Sequence, residues 1–159
     1  MNLVSVMGGL AGAAALTLVN ETVKRVDKDA PRLDLLGMNA AAKILKGSNI
    51  KTPAFAQNLF PAALAGDLIS NTLYFGMAQA ETKSKTLVRG ALLGLGAGIG
   101  AVTLAKPLGV DSNPKMKPVK TNTLTIAYYL LGGLVAAAII NLIAKESLTT
   151  ESLTERLTP

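Results

Sequence analysis

The sequence contains no cysteine, no histidine and no tryptophan. Without cysteine no disulfide can form, so the redox compartment cannot be inferred. Zinc sites built from cysteine or histidine, haem with such axial ligands and cysteine-ligated iron–sulfur clusters are all excluded. Nucleophilic catalysis that pairs serine or cysteine with histidine is excluded as well. We therefore expect no cofactor and no metal. These absences argue against an enzyme, although they leave some enzyme chemistries open.

Charge is also scarce, because only 16% of the 159 residues are charged whereas 50% are hydrophobic. Soluble domains carry roughly 25% charged residues. The charged residues cluster in linkers and leave four long stretches nearly free of charge. This pattern predicts an all-α integral membrane protein, a four-helix bundle that crosses the bilayer about four times. We expect one transmembrane domain over residues 1–145 and a polar tail over 146–159.

The four apolar stretches predict spans at about 3–20, 59–80, 87–105 and 124–144. Crossing the hydrocarbon core takes roughly 17–25 helical residues, so the first span is near the short limit. Basic residues follow this span instead of preceding it, which is the reverse of a secretory signal peptide. We interpret it as a retained anchor. Polar residues line one side of the span where it leaves the membrane, and they predict a solvated helix end there. These residues are Thr17, Asn20, Glu21 and Lys24.

The first linker predicts an additional amphipathic helix at about 30–46. Asp29 and Pro31 suit a helix start, because a carboxylate caps free N–H groups and proline lacks the donor that would be unpaired there. Apolar residues recur at helical spacing on one side, and Arg32, Lys43 and Lys46 lie on the other. Such a helix suits the membrane interface. The alternative is a helix packed over one end of the bundle.

The distribution of lysine and arginine predicts the orientation. Linkers 21–58 and 106–123 carry eleven of these residues, and the opposite side carries five. By the positive-inside rule both long linkers are cytoplasmic and both termini are outside, as in a protein of the bacterial inner membrane. Three prolines in the 106–123 linker predict irregular structure there.

Small residues form ridges on three of the predicted spans. Gly8 and Gly12 are four apart in the first span, and the fourth carries Gly133. In the third span Gly90, Gly94 and Gly98 lie on one ridge, with Gly96 and Gly100 on another. Glycine lets helix backbones approach closely inside a bilayer, where burial alone gives no driving force. The ridges predict packing either within the chain or against a second copy or other membrane subunits.

The second span holds the ionisable residue that lies deepest in any span, Asp67. Asp67, Ser70, Asn71 and Tyr74 fall at i, i+3, i+4 and i+7 and therefore share a helix face. A charge at mid-membrane costs about 2.5–3.5 kcal/mol, so this face is expected to point into the bundle or a wet cavity. The expected neighbours at that depth are Thr17, Thr103, and Tyr128 or Tyr129. Three roles stay open: a protonated hydrogen-bonding group, a site for an ion or polar solute, or a contact to a partner subunit.

Two functions follow from these features. Glycine-rich packing favours an accessory or scaffold subunit, or a homo-oligomer. The alternative is a small channel or carrier that uses the Asp67 face. A lipid enzyme would need clustered carboxylates or a serine–lysine pair at the interface, and no convincing cluster is present. The net charge of +6 predicts contact with lipid headgroups and not with nucleic acid, because no basic stripe with aromatic platforms accompanies it.

Overall fold

The computed structural model describes residues 1–27, 29–33, 59–105, 107 and 118–157, with side chains up to residue 144. Within this part the chain forms four α-helices, which confirms the all-α fold class. Their bounds are α1 Leu3–Val26, α2 Leu59–Gly76, α3 Lys83–Ala105 and α4 Pro118–Leu157. The predicted amphipathic helix lies almost wholly outside the described residues, including Lys43 and Lys46. Arg32 is described, in an irregular segment.

Three of the helices are long and apolar enough to cross a membrane: α1, α3 and the Pro118–Ala144 part of α4. The helix α2 is not among them. It is 18 residues long and includes Asp67, Ser70 and Asn71, which lower its hydropathy. A membrane protein with three candidate spans is therefore supported, and the fourth crossing stays a prediction.

The helix ends differ from the predicted spans in ways that local chemistry explains. Asn2 caps α1, since its side-chain oxygen accepts a hydrogen bond from the Ser5 backbone N–H at 3.0 Å. At the other end α1 continues to Val26, with Lys24 and Arg25 in the last turn, where cations favour the helix dipole. The irregular structure predicted for 106–123 is wrong for 118–123, because Pro118 occupies the first position of α4, where proline is well tolerated. The same helix continues through the predicted tail to Leu157.

The spatial order of the helices differs from their order in the chain. Helix α4 packs against both α1 and α3, and α1 also packs against α2, whereas α2 meets α3 and α4 only sparsely. Each of these three extensive contacts is antiparallel, as the paired residues show. The molecule therefore has a turn end, which holds residues 1–5, 77–86 and Asn141, and a linker end, which holds residues 26–27, 29–33, 105 and 118–121.

The turn end is closed by polar contacts between elements. The Ser5 hydroxyl lies within hydrogen-bonding distance of the Gln79 side chain. Arg89 donates to the Gln79 carbonyl at 2.9 Å, and the Asn141 amide donates to the Lys83 carbonyl at 3.1 Å. These bonds tie α1 and α3 to the turn that follows α2, and α4 to the start of α3.

Two ridges on α4 carry its packing. One ridge, defined by Tyr128, Gly132, Ala136 and Ile140, faces α1. The other, defined by Tyr129, Gly133 and Ala137, faces α3. On the ridge that faces α1, tyrosine changes to glycine within one turn, so close backbone contact between α1 and α4 lies in the turn-end half. On the other ridge, close contact with α3 continues towards the linker end as far as Ile126.

The predicted glycine ridges pack within the chain. Gly8 and Gly12 lie against α4, Gly9 lies against α2, and Gly90, Gly94 and Gly98 lie against α4, where Gly133 faces Gly90. A methyl group on Gly94 would lie 2.6 Å from the Tyr129 carbonyl oxygen, and one on Gly98 would lie 2.7 Å from the Ile126 Cα. These backbones are therefore too close for any larger side chain. Gly96 and Gly100 differ, because Gly96 is exposed and a methyl on Gly100 would meet nothing within 4 Å.

Candidate polar site around Asp67

Asp67 is half-buried in α2 and is held by the residue one turn further along. The Asn71 side-chain amide donates a hydrogen bond to the Asp67 carboxylate at 2.9 Å. Asn71 itself is buried, with 8% of its surface exposed. Among the residues that the structure describes, Asn71 is the only side-chain partner of Asp67, and no lysine or arginine there forms an ion pair with it. The carboxylate is thus bonded by a neutral group.

Tyr74 connects this face of α2 to α3. Its hydroxyl donates a hydrogen bond to the Leu93 carbonyl oxygen at 3.1 Å, and its ring meets the edge of Phe75 with 5.8 Å between centroids. Gly96 leaves space beside the hydroxyl, which would be the nearest atom to a methyl there, at 3.6 Å. The tyrosine therefore spans the sparse contact between α2 and α3.

The fourth residue of the predicted face lies apart from the others. Ser70 is exposed, and its hydroxyl donates at 3.1 Å to the Asp67 backbone carbonyl, within its own helix. The arc covered by i to i+7 is wide, and the structure turns only the edge with Asn71 and Tyr74 inward. Three of the four predicted residues thus lie on one line, Asp67–Asn71–Tyr74.

Only some of the residues expected beside Asp67 lie near it in the structure. On α1, Gly9 lies beside Thr72 and Gly76, so the antiparallel course brings Thr17 to the level of Asp67. Tyr129 of α4 lies within electrostatic reach of the carboxylate. Thr103 does not join this layer, because it is exposed and its hydroxyl donates to the Ile99 carbonyl at 2.8 Å.

Three buried polar atoms in this region have no hydrogen-bond partner among the described residues: Thr17 Oγ1, Asn20 Oδ1 and the Tyr128 hydroxyl. Only 4% of Asn20 and 5% of Tyr128 is exposed. The solvated helix end predicted at Thr17, Asn20, Glu21 and Lys24 is therefore wrong for Asn20, which is buried, while the other three residues are half-buried. A buried polar atom without a partner costs about 1–3 kcal/mol, so three in one region need an explanation.

The segment after α1 closes the linker end through ion pairs. The Lys120 ammonium lies 2.7 Å from the Asp27 carboxylate and 3.7 Å from that of Asp29. The Thr121 hydroxyl donates to the Asp29 carbonyl at 3.0 Å, and Pro31 is fully buried. The Lys120 hydrogen bond, followed by one from the Asp29 backbone N–H, holds the pKa of Asp27 below its ordinary value. This closure fixes α1 against α4.

Sequence reasoning did not single out the buried threonines of α4. Thr121 and Thr125 are 7% and 5% exposed, and the Thr125 hydroxyl donates to the Thr121 carbonyl at 2.9 Å. The signal was available, because Thr121, Thr125 and Tyr128 follow the i, i+4, i+7 spacing of one helix face. That spacing matches the Asp67 face of α2.

In the described part of the chain, no three histidine, cysteine, aspartate or glutamate side chains are grouped to hold a metal ion. The polar site thus offers one carboxylate together with amide and hydroxyl groups. No family model, curated protein or solved structure matches this chain. Function must therefore be argued from the geometry. One carboxylate with neutral hydrogen-bonding neighbours can bind a proton or a weakly held cation, or a polar solute with a donor group.

Proposed function

We propose that this protein is a small polytopic membrane protein whose four helices cross the bilayer as a bundle, and that it carries a cation or polar solute at Asp67. The observation that supports the site most strongly is the half-buried Asp67 carboxylate, which is bonded by the Asn71 amide and by no cationic side chain among the described residues. A charge at membrane depth costs about 2.5–3.5 kcal/mol, so a bundle keeps one where water, a proton or a ligand neutralises it.

The glycine contacts favour this role over assembly through the glycine ridges. Gly8, Gly12, Gly90, Gly94 and Gly98 all lie against the chain's own helices. A partner helix therefore has no access to them in the folded chain. Tyr74, at one end of the Asp67 line, bridges the sparse contact between α2 and α3, where a small guest needs least rearrangement.

The test is flux through the purified protein in lipid vesicles under an imposed proton, sodium or potassium gradient. We expect the wild-type protein to dissipate one of these gradients and Asp67→Asn to abolish the flux with an unchanged melting temperature. Asparagine keeps the shape and removes the charge. Ser70→Ala is the matched control, because Ser70 is exposed on the same helix, and its flux should equal that of the wild type. Equal flux through the Asp67→Asn protein would show that the site has no role in transport.

Asp67→Leu distinguishes a purely structural aspartate. If Asp67 has no ligand and no structural partner of value, leucine removes the charge and stabilises α2 by roughly the 2.5–3.5 kcal/mol that the charge costs in a membrane. On the proposed function, leucine abolishes flux and also loses the Asn71 bond, so the melting temperature should not rise.

A second candidate function is that of an accessory subunit or homo-oligomer, and the outer face of α3 favours it. Only 17% of the apolar segment of α3 is buried, against 39% for α1 and 33% for α4. Gly100 lies on this uncovered face, and Gly96, four residues earlier, is exposed beside the Tyr74 hydroxyl at its edge. On this proposal Gly100→Leu, which meets nothing inside the chain, should release a second copy or a foreign subunit from the complex purified in mild detergent. If the wild-type protein and the Gly100→Leu variant are both monomers without a stoichiometric companion, this second candidate function is excluded.

We further propose that both long linkers are cytoplasmic in a bacterial inner membrane, with the turn end outside. The chain lacks cysteine, so single cysteines report position without background. Ser84→Cys, at an exposed site of the turn end, should react with a membrane-impermeant thiol reagent in intact cells. Ser48→Cys and Ser112→Cys, whose positions lie outside the described residues, should be protected. The reverse labelling pattern would invert the orientation.

A further inference from the structure

Few side-chain oxygens are available to a cation at Asp67. In the described part of the chain, the one side-chain partner of the carboxylate is Asn71, whose amide N–H already donates to it at 2.9 Å. The Ser70 hydroxyl is exposed and donates within its own helix. From α4, Tyr129 lies within electrostatic reach and can add one hydroxyl oxygen. A metal cation would thus find a carboxylate, one amide oxygen and at most one hydroxyl.

The backbone around Asp67 supplies no further ligands. The helix α2 is unbroken from Leu59 to Gly76, and so are α3 and α4 over their described lengths. Carbonyl oxygens inside a helix accept hydrogen bonds from residues four positions further along. Carriers that bind sodium use unwound carbonyls of discontinuous helices, and potassium filters use rings of carbonyls that replace the hydration shell of the ion. The helices that the structure describes provide neither arrangement.

A cavity beside α2 lies on the other side of this helix from Asp67. It has a volume of about 240 Å³ and is lined by Val6, Leu10, Leu68, Ile69, Thr72 and Leu73. At about 100° per residue, Thr72 stands about 140° around the helix from Asp67. A solute in this cavity would therefore meet apolar side chains and one threonine instead of the carboxylate.

The packed helices also bring no charged group to the level of Asp67. Helix α1 has no ionisable residue over 3–20, and α3 has none over 90–105. Lys120 of α4 lies at the linker end and is already ion-paired. The remaining ionisable residues at this depth are tyrosines, which are neutral near pH 7: Tyr74, Tyr128 and Tyr129. A proton neutralises a carboxylate through one covalent bond and needs no shell of ligands.

We propose that the cation carried at Asp67 is the proton. This inference rests on the proposed function and narrows it to one ion. One carboxylate oxygen takes up the proton and later releases it, with no other bond made or broken. A protonated carboxyl keeps acceptor capacity, so the Asn71 amide can stay bonded to it in both states. Asn71 is thus a positioning residue, which holds the side chain in place while the proton enters and leaves.

The first experiment compares ions in vesicles that contain the full-length protein. A membrane potential should drive proton uptake, read by an internal pH dye, whereas labelled sodium and potassium should not enter. Asp67→Asn should reduce proton uptake to that of protein-free vesicles, and Ser70→Ala should match the wild type. Sodium or potassium flux that requires Asp67, without proton flux, would overturn this inference and leave the proposed function standing. Absence of any flux that requires Asp67 would overturn both.

The second experiment detects the bound proton without transport. Dicyclohexylcarbodiimide enters bilayers and reacts with protonated carboxyls. The carboxyl oxygen bonds to the central carbon of the reagent, the proton passes to a nitrogen, and an acyl shift gives a stable N-acylurea. Mass spectrometry should find Asp67 modified, at a rate that falls about tenfold per pH unit once the carboxylate form predominates. Asp67→Asn should remove the modification.

The salt dependence of this labelling separates the proton from a metal cation. Sodium or potassium chloride should leave the rate equal to that in choline chloride of the same ionic strength. Protection by sodium or potassium would show a metal cation at the carboxylate, which would overturn this inference and support the proposed function. An Asp67 that stays unmodified at every pH would also overturn it.

Discussion

The contact between α1 and α4 is built in opposite ways near the turn end and near the linker end. Near the turn end, Gly8 and Gly12 bring the two backbones into direct contact. Near the linker end, Tyr128 takes the place of glycine on the side of α4 that faces α1, and its hydroxyl has no hydrogen-bond partner among the described residues. The contact between α3 and α4 differs, because its backbones stay close as far as Gly98 and Ile126.

The sequence of α4 contains this division between Tyr128 and Gly132. Tyr128 precedes Gly132 by four positions, so the ridge that faces α1 changes from a large side chain to none within about one turn. In a bilayer, close approach stabilises helices through dispersion and weak C–H···O contacts, whereas polar side chains need partners. One short segment thus determines where α1 and α4 can approach closely.

The largest expected effect comes from adding one methyl group to the turn-end half. Gly133→Ala places a Cβ 3.0 Å from the Gly94 backbone nitrogen and closer still to Gly90. Overpacking of this kind costs about 1–3 kcal/mol. Gly100→Ala is the matched control, because its methyl meets nothing and alanine is the better helix former by up to about 1 kcal/mol. Melting in detergent should separate the two variants clearly. Equal stability would mean that the close contact does not stabilise the fold.

The next effect concerns the polar half. Asn71→Leu removes the one described side-chain partner of Asp67 and should destabilise the protein by about 1–3 kcal/mol. Ser70→Ala removes only a hydroxyl bonded within its own exposed turn and should change stability by less than about 0.5 kcal/mol. Denaturant titration of both variants measures the difference. A stable Asn71→Leu protein would show that water alone satisfies the carboxylate.

A smaller effect is expected at the boundary between the halves. Tyr74→Phe removes the hydrogen bond to the Leu93 carbonyl and keeps the ring against Phe75. The expected loss is about 0.5–1.5 kcal/mol, the usual net worth of such a bond. Because this bond joins the last turn of α2 to α3, amide exchange in the last turns of α2 should increase while α4 stays protected. Uniform exchange changes in all helices would contradict a local role.

The smallest effect is the pH dependence of the linker-end closure. Lys120 holds the pKa of Asp27 below its ordinary value in the folded protein. The ion pair therefore stabilises the fold fully above the unfolded pKa of about 3.9. This stabilisation is lost as the pH falls through the lower pKa of the folded protein. Asp27→Asn should therefore melt below the wild type at neutral pH, and the two melting temperatures should converge below about pH 3.9. A constant gap down to strongly acidic pH would show that the carboxylate acts by shape alone.

The helices and the glycine contacts were predictable because both depend on residue type and spacing within one helix. Long apolar stretches form helices in a bilayer whatever their neighbours, and Gly90, Gly94 and Gly98 share a ridge by geometry alone. The inward placement of Asn71 and Tyr74 followed from the cost of exposing polar groups to lipid.

The remaining features depend on contacts between distant parts of the chain. Asn20 was predicted at a solvated helix end because nothing in the sequence of α1 shows that its side chain is buried in the folded chain. Ser70 was placed with Asp67 because i and i+3 are neighbours on any helix, yet which edge of the arc turns inward depends on how α2 packs against the other helices, above all α1. The start of α4 was missed because proline breaks a helix interior but fits its first turn.

The position of α4 between α1 and α3 has a consequence for biosynthesis. Helix α1 leaves the ribosome first, yet the surface formed by Gly8 and Gly12 waits for α4, which is made more than 90 residues later. Until then α1 and α3 share no extensive contact. Helix α2 lies between them in the chain, but it packs extensively only against α1. A nascent chain arrested before Pro118 therefore exposes two narrow glycine surfaces to the lipid and to any passing helix. We expect membrane quality control to recognise such chains, and the last helix to determine the lifetime of the whole protein.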